Sequence, residues 1–235
     1  MSFHYSPKIV TDGLVFYVDA ANSKSYVSGS TVWNDMSKNS NDGTLTNGPT
    51  FDSDNGGSIV FDGSNDYVSH GDVLNFERTD SFSIDVWTKL DSISTTQILV
   101  AKWINKGYEI FFLNPGKIGW TLANTEGGVN QIRVDSSNNA VSVGEIFNLC
   151  VTYDGSSSTS GMKIYKNGSL LSASSIYNNL NSSISLVDEF RLGANSSGSP
   201  LPLNGNIFNT KIYNKELMDD EVFQNYNALK TRFGL

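Results

Sequence analysis

A chain of 235 residues carries 24 acidic against 16 basic side chains, a net charge of −8, with 38% apolar and 17% charged residues. Its length suits one domain with a substantial core, and an acidic balance without any basic cluster removes the attraction to phosphate that binding to nucleic acid or an anionic membrane relies on. The lone Cys150 excludes an intrachain disulfide and a cysteine-based zinc site, while His4 and His70 leave little for transition-metal or histidine-base chemistry.

Residues 1–8 lack the basic and apolar regions of a secretory signal and read as a tail, so the chain is expected to be made and folded in a cytoplasm. No run approaches the roughly 18 apolar residues of a membrane span. The 33 serines and 26 asparagines supply turn residues throughout, and short β-rich runs lie between them. Strands are expected at Leu14–Val18, Ser58–Phe61, around Phe82–Val86, and at Ile98–Trp103, Tyr108–Leu113, Ile118–Leu122 and Ile132–Val134. The clearest alternation sets Phe82, Ile84 and Val86 against Ser81, Ser83 and Asp85. In a later strand Phe147, Leu149, Val151 and Tyr153 alternate with Asn148, Cys150 and Thr152, which puts the thiol on the opposite face as a quiet buried group. Further strands are expected at Met162–Lys166, Leu186–Leu192 and Ile207–Tyr213, with Asn167-Gly168 making a type I′ hairpin turn after Lys166. Val222, Tyr226, Leu229 and Phe233 fall at helical steps, so one helix is expected over 219–233, with acids in its first turn and Gly234 after it. About a dozen strands and one terminal helix, with no linker, predict a single all-β domain over 1–235: a two-sheet antiparallel β-sandwich closed by that helix.

Four patterns in this order are similar to those of one family. They are Gly13-Leu-Val-Phe-Tyr-Val-Asp-Ala20, the run Trp33 to Pro49, Phe61-Asp-Gly-Ser-Asn-Asp-Tyr-Val68, and Leu203-Asn-Gly-Asn-Ile207 followed by Ile212-Tyr-Asn-Lys-Glu-Leu217. Together with a Trp-bearing strand at Trp87, they resemble the concanavalin A-like jelly rolls of the laminin-G type over residues 8 to 233. The resemblance implies the jelly-roll sandwich. It leaves the function open, because this fold serves lectins, glucanases, adhesion modules and virion proteins alike.

A glycosidase needs two carboxylates flanking the scissile bond. The related glucanases carry Glu-x-Asp-x-x-Glu on one strand, whereas the seven glutamates here are scattered singly and Asp188-Glu189 would point to opposite faces of a strand. No enzymatic activity is expected. No cofactor is expected to be required; calcium is the ion that the oxygen-rich run Asp35-x-Ser37-x-Asn39-x-Asn41 would suit, with Asp35, Asn39 and Asn41 as candidate ligands, against the alternative of a hydrogen-bonded turn. The resemblance also implies an aspartate ligand after Gly205-Asn206-Ile207, where this chain has Phe208. Sugar binding on such sandwiches uses an aromatic platform with amide hydrogen bonds. The candidates are Trp103, Trp120 and Tyr108 for the rings and Asn105 and Asn124 for the amides, the alternative for each ring being a place in the core.

The chain is read as a stand-alone product without a secretion address, and proteins with close relatives of these motifs are common among phage virion components. The expected role is a non-enzymatic bacteriophage virion surface protein, as a head decoration, collar or tail-fibre-associated protein, with a capacity for glycan adhesion. Its expected partners are other virion proteins, a cell-surface glycan and further copies of itself in a homo-oligomer, without nucleic acid or membrane insertion. The alternative is a bacterial carbohydrate-binding lectin module.

Overall fold

A computed structural model describes residues 7–197 and 201–235. Residues 1–6 of the expected tail lie outside the described residues. The chain is tied down from Val10, which is buried and donates its N–H to Asn225 Oδ1 at 2.8 Å. The first strands are β1 Leu14–Asp19, β2 Val32–Trp33, β3 Gly43–Thr46, β4 Thr50–Asp52, β5 Ser58–Asp62 and β6 Tyr67–Ser69. Six longer ones follow: β7 Phe82–Leu90, β8 Gln97–Trp103, β9 Gly107–Leu113, β10 Lys117–Thr125, β11 Asn130–Ser136 and β12 Ile146–Tyr153. The remainder are β13 Met162–Lys166, β14 Ser169–Leu170, β15 Ala173–Asn179, β16 Arg191–Leu192 and β17 Asn204–Tyr213, before helix α1 Asp219–Leu229.

Two antiparallel sheets form a sandwich, as the sequence predicts. One runs β14-β13-β12-β7-β17-β5-β4, with β1 also paired to β17, and the other runs β15-β11-β10-β9-β8-β16-β6-β3-β2. One edge of β17 serves two partners end to end, Asn204 to Ile207 facing β5 and Asn209 to Tyr213 facing β1. Its other edge pairs with β7, with a bulge between Ile207 and Asn209.

The alternation read from the sequence decides which side chains meet between the sheets. Phe82, Ile84 and Val86 of β7 point inward and meet Tyr108 of β9 and Trp120 of β10 from the opposite sheet. The Phe82 ring lies 5.2 Å from Tyr108 and 5.6 Å from Trp120, the latter edge-on at 80°. Edge-on and tilted contacts of this kind suit ring quadrupoles and bury large apolar area.

The outer face of the eight-stranded sheet is covered by the C-terminal segment. Trp87 stacks on Phe233 at 4.3 Å and on Tyr226 at 5.8 Å. Beneath the helix, Lys211 Nζ and Asp85 Oδ1 form a fully buried ion pair at 2.7 Å, and Asn209 and Asn148 bond to Lys211 and Asp85 respectively. Cys150 shares this face with Tyr165, Tyr213, Leu217 and Val222, opposite the inward set of β12, as the alternation predicts.

The helix spans 219–229 and continues as a 3₁₀ turn to Phe233, with Gly234 left-handed at φ 71°. Met218 holds the N-cap position and its N–H is accepted by Glu221 Oε2 at 3.0 Å, while Asp219 accepts from the Tyr165 hydroxyl at 2.7 Å. Asn167 and Gly168 have φ of 51° and 75°, as a type I′ turn requires. The run Leu186–Leu192 is strand only at 191–192. The carbonyl of Asp188 accepts instead from the buried Lys102 Nζ at 2.6 Å, which draws that stretch away from a ladder.

Candidate functional site

The rings expected to form an exposed platform are buried: Trp120 is 0% exposed, Tyr108 1% and Trp103 2%. Trp120 and Tyr108 point between the sheets because they share the inward set of Ile118, Leu122, Ile110 and Phe112, and the Tyr108 hydroxyl donates to Leu74 O at 2.9 Å. Trp103 faces outward but is roofed by a returning segment. Ser196 donates its N–H to Trp103 O at 3.2 Å, Ile98 donates to Leu201 O at 2.9 Å, and Leu201 packs on the cluster of Trp103, Ile98 and Phe111. The amides are elsewhere. Asn105 is exposed in the β8–β9 turn at φ 62°, and Asn124 donates to Ser183 O at 2.7 Å. These five residues therefore do not assemble a stacking surface, which corrects the expectation.

The proposed calcium ligands are likewise engaged. Asp35 Oδ1 accepts the N–H groups of Tyr17 and Ser37 at 2.9 and 2.8 Å, and Oδ2 accepts the Asn41 N–H at 2.9 Å and the Ser37 hydroxyl at 2.8 Å. Asn39 donates its amide to Val15 O at 2.7 Å, and Asn41 O lies 2.8 Å from His70 Nδ1. Backbone N–H groups thus take the place a cation would fill, the side-chain-to-backbone mode typical of such turns. Phe208, at the place where the resemblance implies an aspartate, packs edge-on against Phe233 at 5.0 Å. The residues present do not fit a calcium ion at either place.

Glu109 was not singled out in the sequence. It sits on the outer face of the nine-stranded sheet, in a row across the strands with Arg191, Ala101, Thr121 and Arg133. It is 8% exposed and accepts from Asn195 Nδ2 at 3.2 Å. Burial pushes its carboxyl up to about 8, with Glu126 adding repulsion and the Asn195 bond and Arg133 opposing. Two strands away Asp135 is held by two nitrogens of Arg133, Nε at 2.7 Å and Nη2 at 2.9 Å. Beside the buried Glu109 carboxyl, the carboxylates of this face are paired with arginine, Asp135 with Arg133 and Glu189 with Arg191.

A cleft of about 450 Å³ opens where the lateral edges of the two sheets separate, between β2–β3 of one and β4 of the other. Tyr26, Phe51, Leu45 and Pro49 line it with apolar surface. Tyr26 and Phe51 lie 5.3 Å apart and tilted by 30°, and the Tyr26 hydroxyl is fixed by donation to Ser30 O at 2.8 Å. Ser28, Ser30, Thr31 and Thr50 supply hydroxyls, and Gly29 and Gly48 leave backbone uncovered. No lining residue carries a charge. Part of the lining, Leu45 to Pro49, lies within the run Trp33 to Pro49 that carries the family resemblance, but the pairing of Tyr26 with Phe51 joins distant segments and has no local signal.

Residues 62–223 match the sequence profile of a laminin G-type family, the concanavalin A-like lectin/glucanases superfamily. No curated protein matches the chain by sequence. Among solved structures, the binding domain of Paraclostridial Mosquitocidal Protein 1 is similar at a TM-score of 0.70 and 18% identity, over 92% of this chain and 52% of that one. The botulinum neurotoxin serotype D binding domain gives 0.66 and 16%, over 92% and 52%. Trypanosoma rangeli sialidase in complex with sialic acid gives 0.68 and 13%, over 97% and 36%. Likeness at these identities is likeness of fold. The chain spans about half the length of the toxin domains and about a third of the sialidase.

Proposed function

The chain belongs to the concanavalin A-like lectin/glucanase superfamily, and from that premise we propose that it is a non-enzymatic adhesion module that binds glycans on the surface of a bacteriophage virion. The observation that carries the glycan reading is the uncharged cleft of Tyr26 and Phe51 rimmed by hydroxyls, a concave, mostly apolar site with a few polar groups of the kind that small ligands occupy. The non-enzymatic part is supported by the outer face of the nine-stranded sheet. Hydrolysis by the usual pair of carboxylates needs an acid and a second, free carboxylate roughly 5–10 Å apart, and there Glu109 is buried, Asp135, two strands away, is bound in a fork by Arg133, and Glu189 is paired with Arg191. The virion part is supported by the motif resemblance and by a fold that needs no disulfide, since Cys150 is a buried free thiol.

A glycan array probed with the recombinant protein, once with calcium and once with chelator, tests the binding. Selective binding in both conditions is the expected result, and silence across the array in both would overturn it. The virion role is tested by mass spectrometry of purified particles, where a fixed copy number is expected and absence from every particle fraction would defeat it.

A further inference from the structure

Building on the glycan reading, we infer that the cleft between the sheet edges takes a neutral pyranose and rejects acidic sugars. A pyranose offers one face of C–H groups and a rim of hydroxyls. The cleft offers the complement: the half-buried Phe51 ring and Leu45 for the apolar face, with the buried Tyr26 ring packed behind Phe51, and the hydroxyls of Ser28, Thr31 and Thr50 around them. Gly29 and Gly48 adopt φ of 86° and 112° and extend no side chain over the opening, so peptide groups there are open to a ligand's hydroxyls. A Cβ built on Gly29 would meet nothing within 4 Å. The volume of about 450 Å³ has room for a mono- or disaccharide.

The charge pattern sets the class. An acidic sugar brings a carboxylate that must lose water on entering, a loss tolerated only where a cation or several hydrogen-bond donors replace it. The lining holds no Lys, Arg or His. The carboxylate of Asp66 stands behind Gly48, its Oδ1 3.9 Å from where a Cβ would sit, and the whole chain is at −8, so the surrounding field repels anions. The hydroxyl rim distinguishes a sugar from an apolar side chain of a partner protein, which would leave those hydroxyls without partners.

The test titrates the full-length, ¹⁵N-labelled chain with the methyl glycosides of glucose, galactose, mannose and N-acetylglucosamine, and in parallel with N-acetylneuraminic acid and glucuronic acid. Saturable shifts at Ser28–Thr31 and Gly48–Phe51 with at least one neutral glycoside, and none with either acid, are expected. Phe51→Leu, which keeps an apolar side chain but removes the ring, should weaken binding at least tenfold, and Phe51→Tyr should retain it. Binding of neutral sugars that Phe51→Leu leaves unchanged, or shifts confined to another surface, would overturn the cleft while leaving glycan adhesion standing. Preference for the acidic sugars would overturn the assigned class. Failure of every sugar here together with a silent array would remove the adhesion reading itself.

Discussion

Glu109→Gln removes one charge from the outer face of the nine-stranded sheet while keeping an acceptor for Asn195 Nδ2, and its effect on stability should depend steeply on pH. The carboxyl titrates at about 8 in the fold against 4.5 as its ordinary value, chiefly because it is buried. Between those two values the folded protein holds a proton that the unfolded chain releases, so stability falls as pH rises through the window and levels off above pH 8. At pH 7 the gap from 4.5 is 2.5 units, a cost of about 3 kcal/mol at 1.36 kcal/mol per unit. Glutamine does not titrate. The variant should therefore match the wild type near pH 4, exceed it by about 3 kcal/mol at pH 7, and exceed it by roughly 5 kcal/mol at pH 9. Urea unfolding followed by tryptophan fluorescence, at intervals from pH 4 to pH 9, reads this directly because Trp33, Trp87, Trp103 and Trp120 are all buried. Parallel stability curves for the two proteins across that range would refute the reasoning, since they would mean that Glu109 ionises in the fold as freely as in the unfolded chain.

His70 should act at the other end of the scale. Burial pulls its imidazole down to about 4, so only the unfolded chain takes up the proton between pH 6.5 and 4, and stability should drop by about 3 kcal/mol as pH falls through that window. His70→Asn should flatten this part of the acid limb, and an unchanged slope would show that carboxylates alone account for it. Arg232 fastens the C-terminal turn, donating to Asn55 O, to Gly57 O and to Asp19 Oδ1. Arg232→Ala should cost roughly 2–4 kcal/mol by leaving Asp19 and two carbonyls short of a donor, and a loss under half a unit in urea unfolding would demote the clasp to a surface contact. Chelator should shift the melting temperature by less than a degree in scanning fluorimetry, because N–H groups already fill the Asp35 loop; a fall of many degrees would require a metal bound in the fold.

Strands that alternate cleanly were legible because one face meets a core, and β7, β12 and β13 lie where the pattern of Phe82–Val86, Phe147–Tyr153 and Met162–Lys166 puts them. β15 was not legible. Its residues, Ala-Ser-Ser-Ile-Tyr-Asn-Asn, are nearly all exposed at the edge of a sheet, and an edge strand held by backbone pairing and polar contacts, such as Asn178 Oδ1 accepting the Thr159 N–H, leaves no hydrophobic period to read. The inward placement of Trp120 and Tyr108 is carried by the sequence itself. Each stands in a period-two register with core residues, Ile118-x-Trp120-x-Leu122 and Tyr108-x-Ile110-x-Phe112, and that register outweighs the proximity of asparagines in nearby turns. Trp103 differs, because its cover comes from residues some ninety positions away. The cleft belongs to the same class: Tyr26 and Phe51 meet only once two sheets have set their edges apart.

The placement of β17 bears on how the protein comes into being. This strand stands inside the eight-stranded sheet, flanked by β7 on one side and by β5 and β1 on the other, yet it is the last strand along the chain. As the polypeptide is synthesised from its N-terminus, Leu14 has no strand partner until Tyr213 has been made, and β5 and β7, paired on one edge with β4 and β12, wait for the same segment on the other. The β4-β5 and β7-β12-β13 pieces of this sheet can pair early, but only β17 joins them to each other and to β1. Closure across so long a stretch of chain is entropically slow, and a nascent chain halted ahead of β17 would hold unpaired strand edges rather than a smaller sandwich. The strands left waiting are mostly apolar, Leu-Val-Phe-Tyr-Val-Asp in β1 and Ser-Ile-Val-Phe-Asp in β5, so such an unfinished chain would expose adhesive edges until the sheet closes.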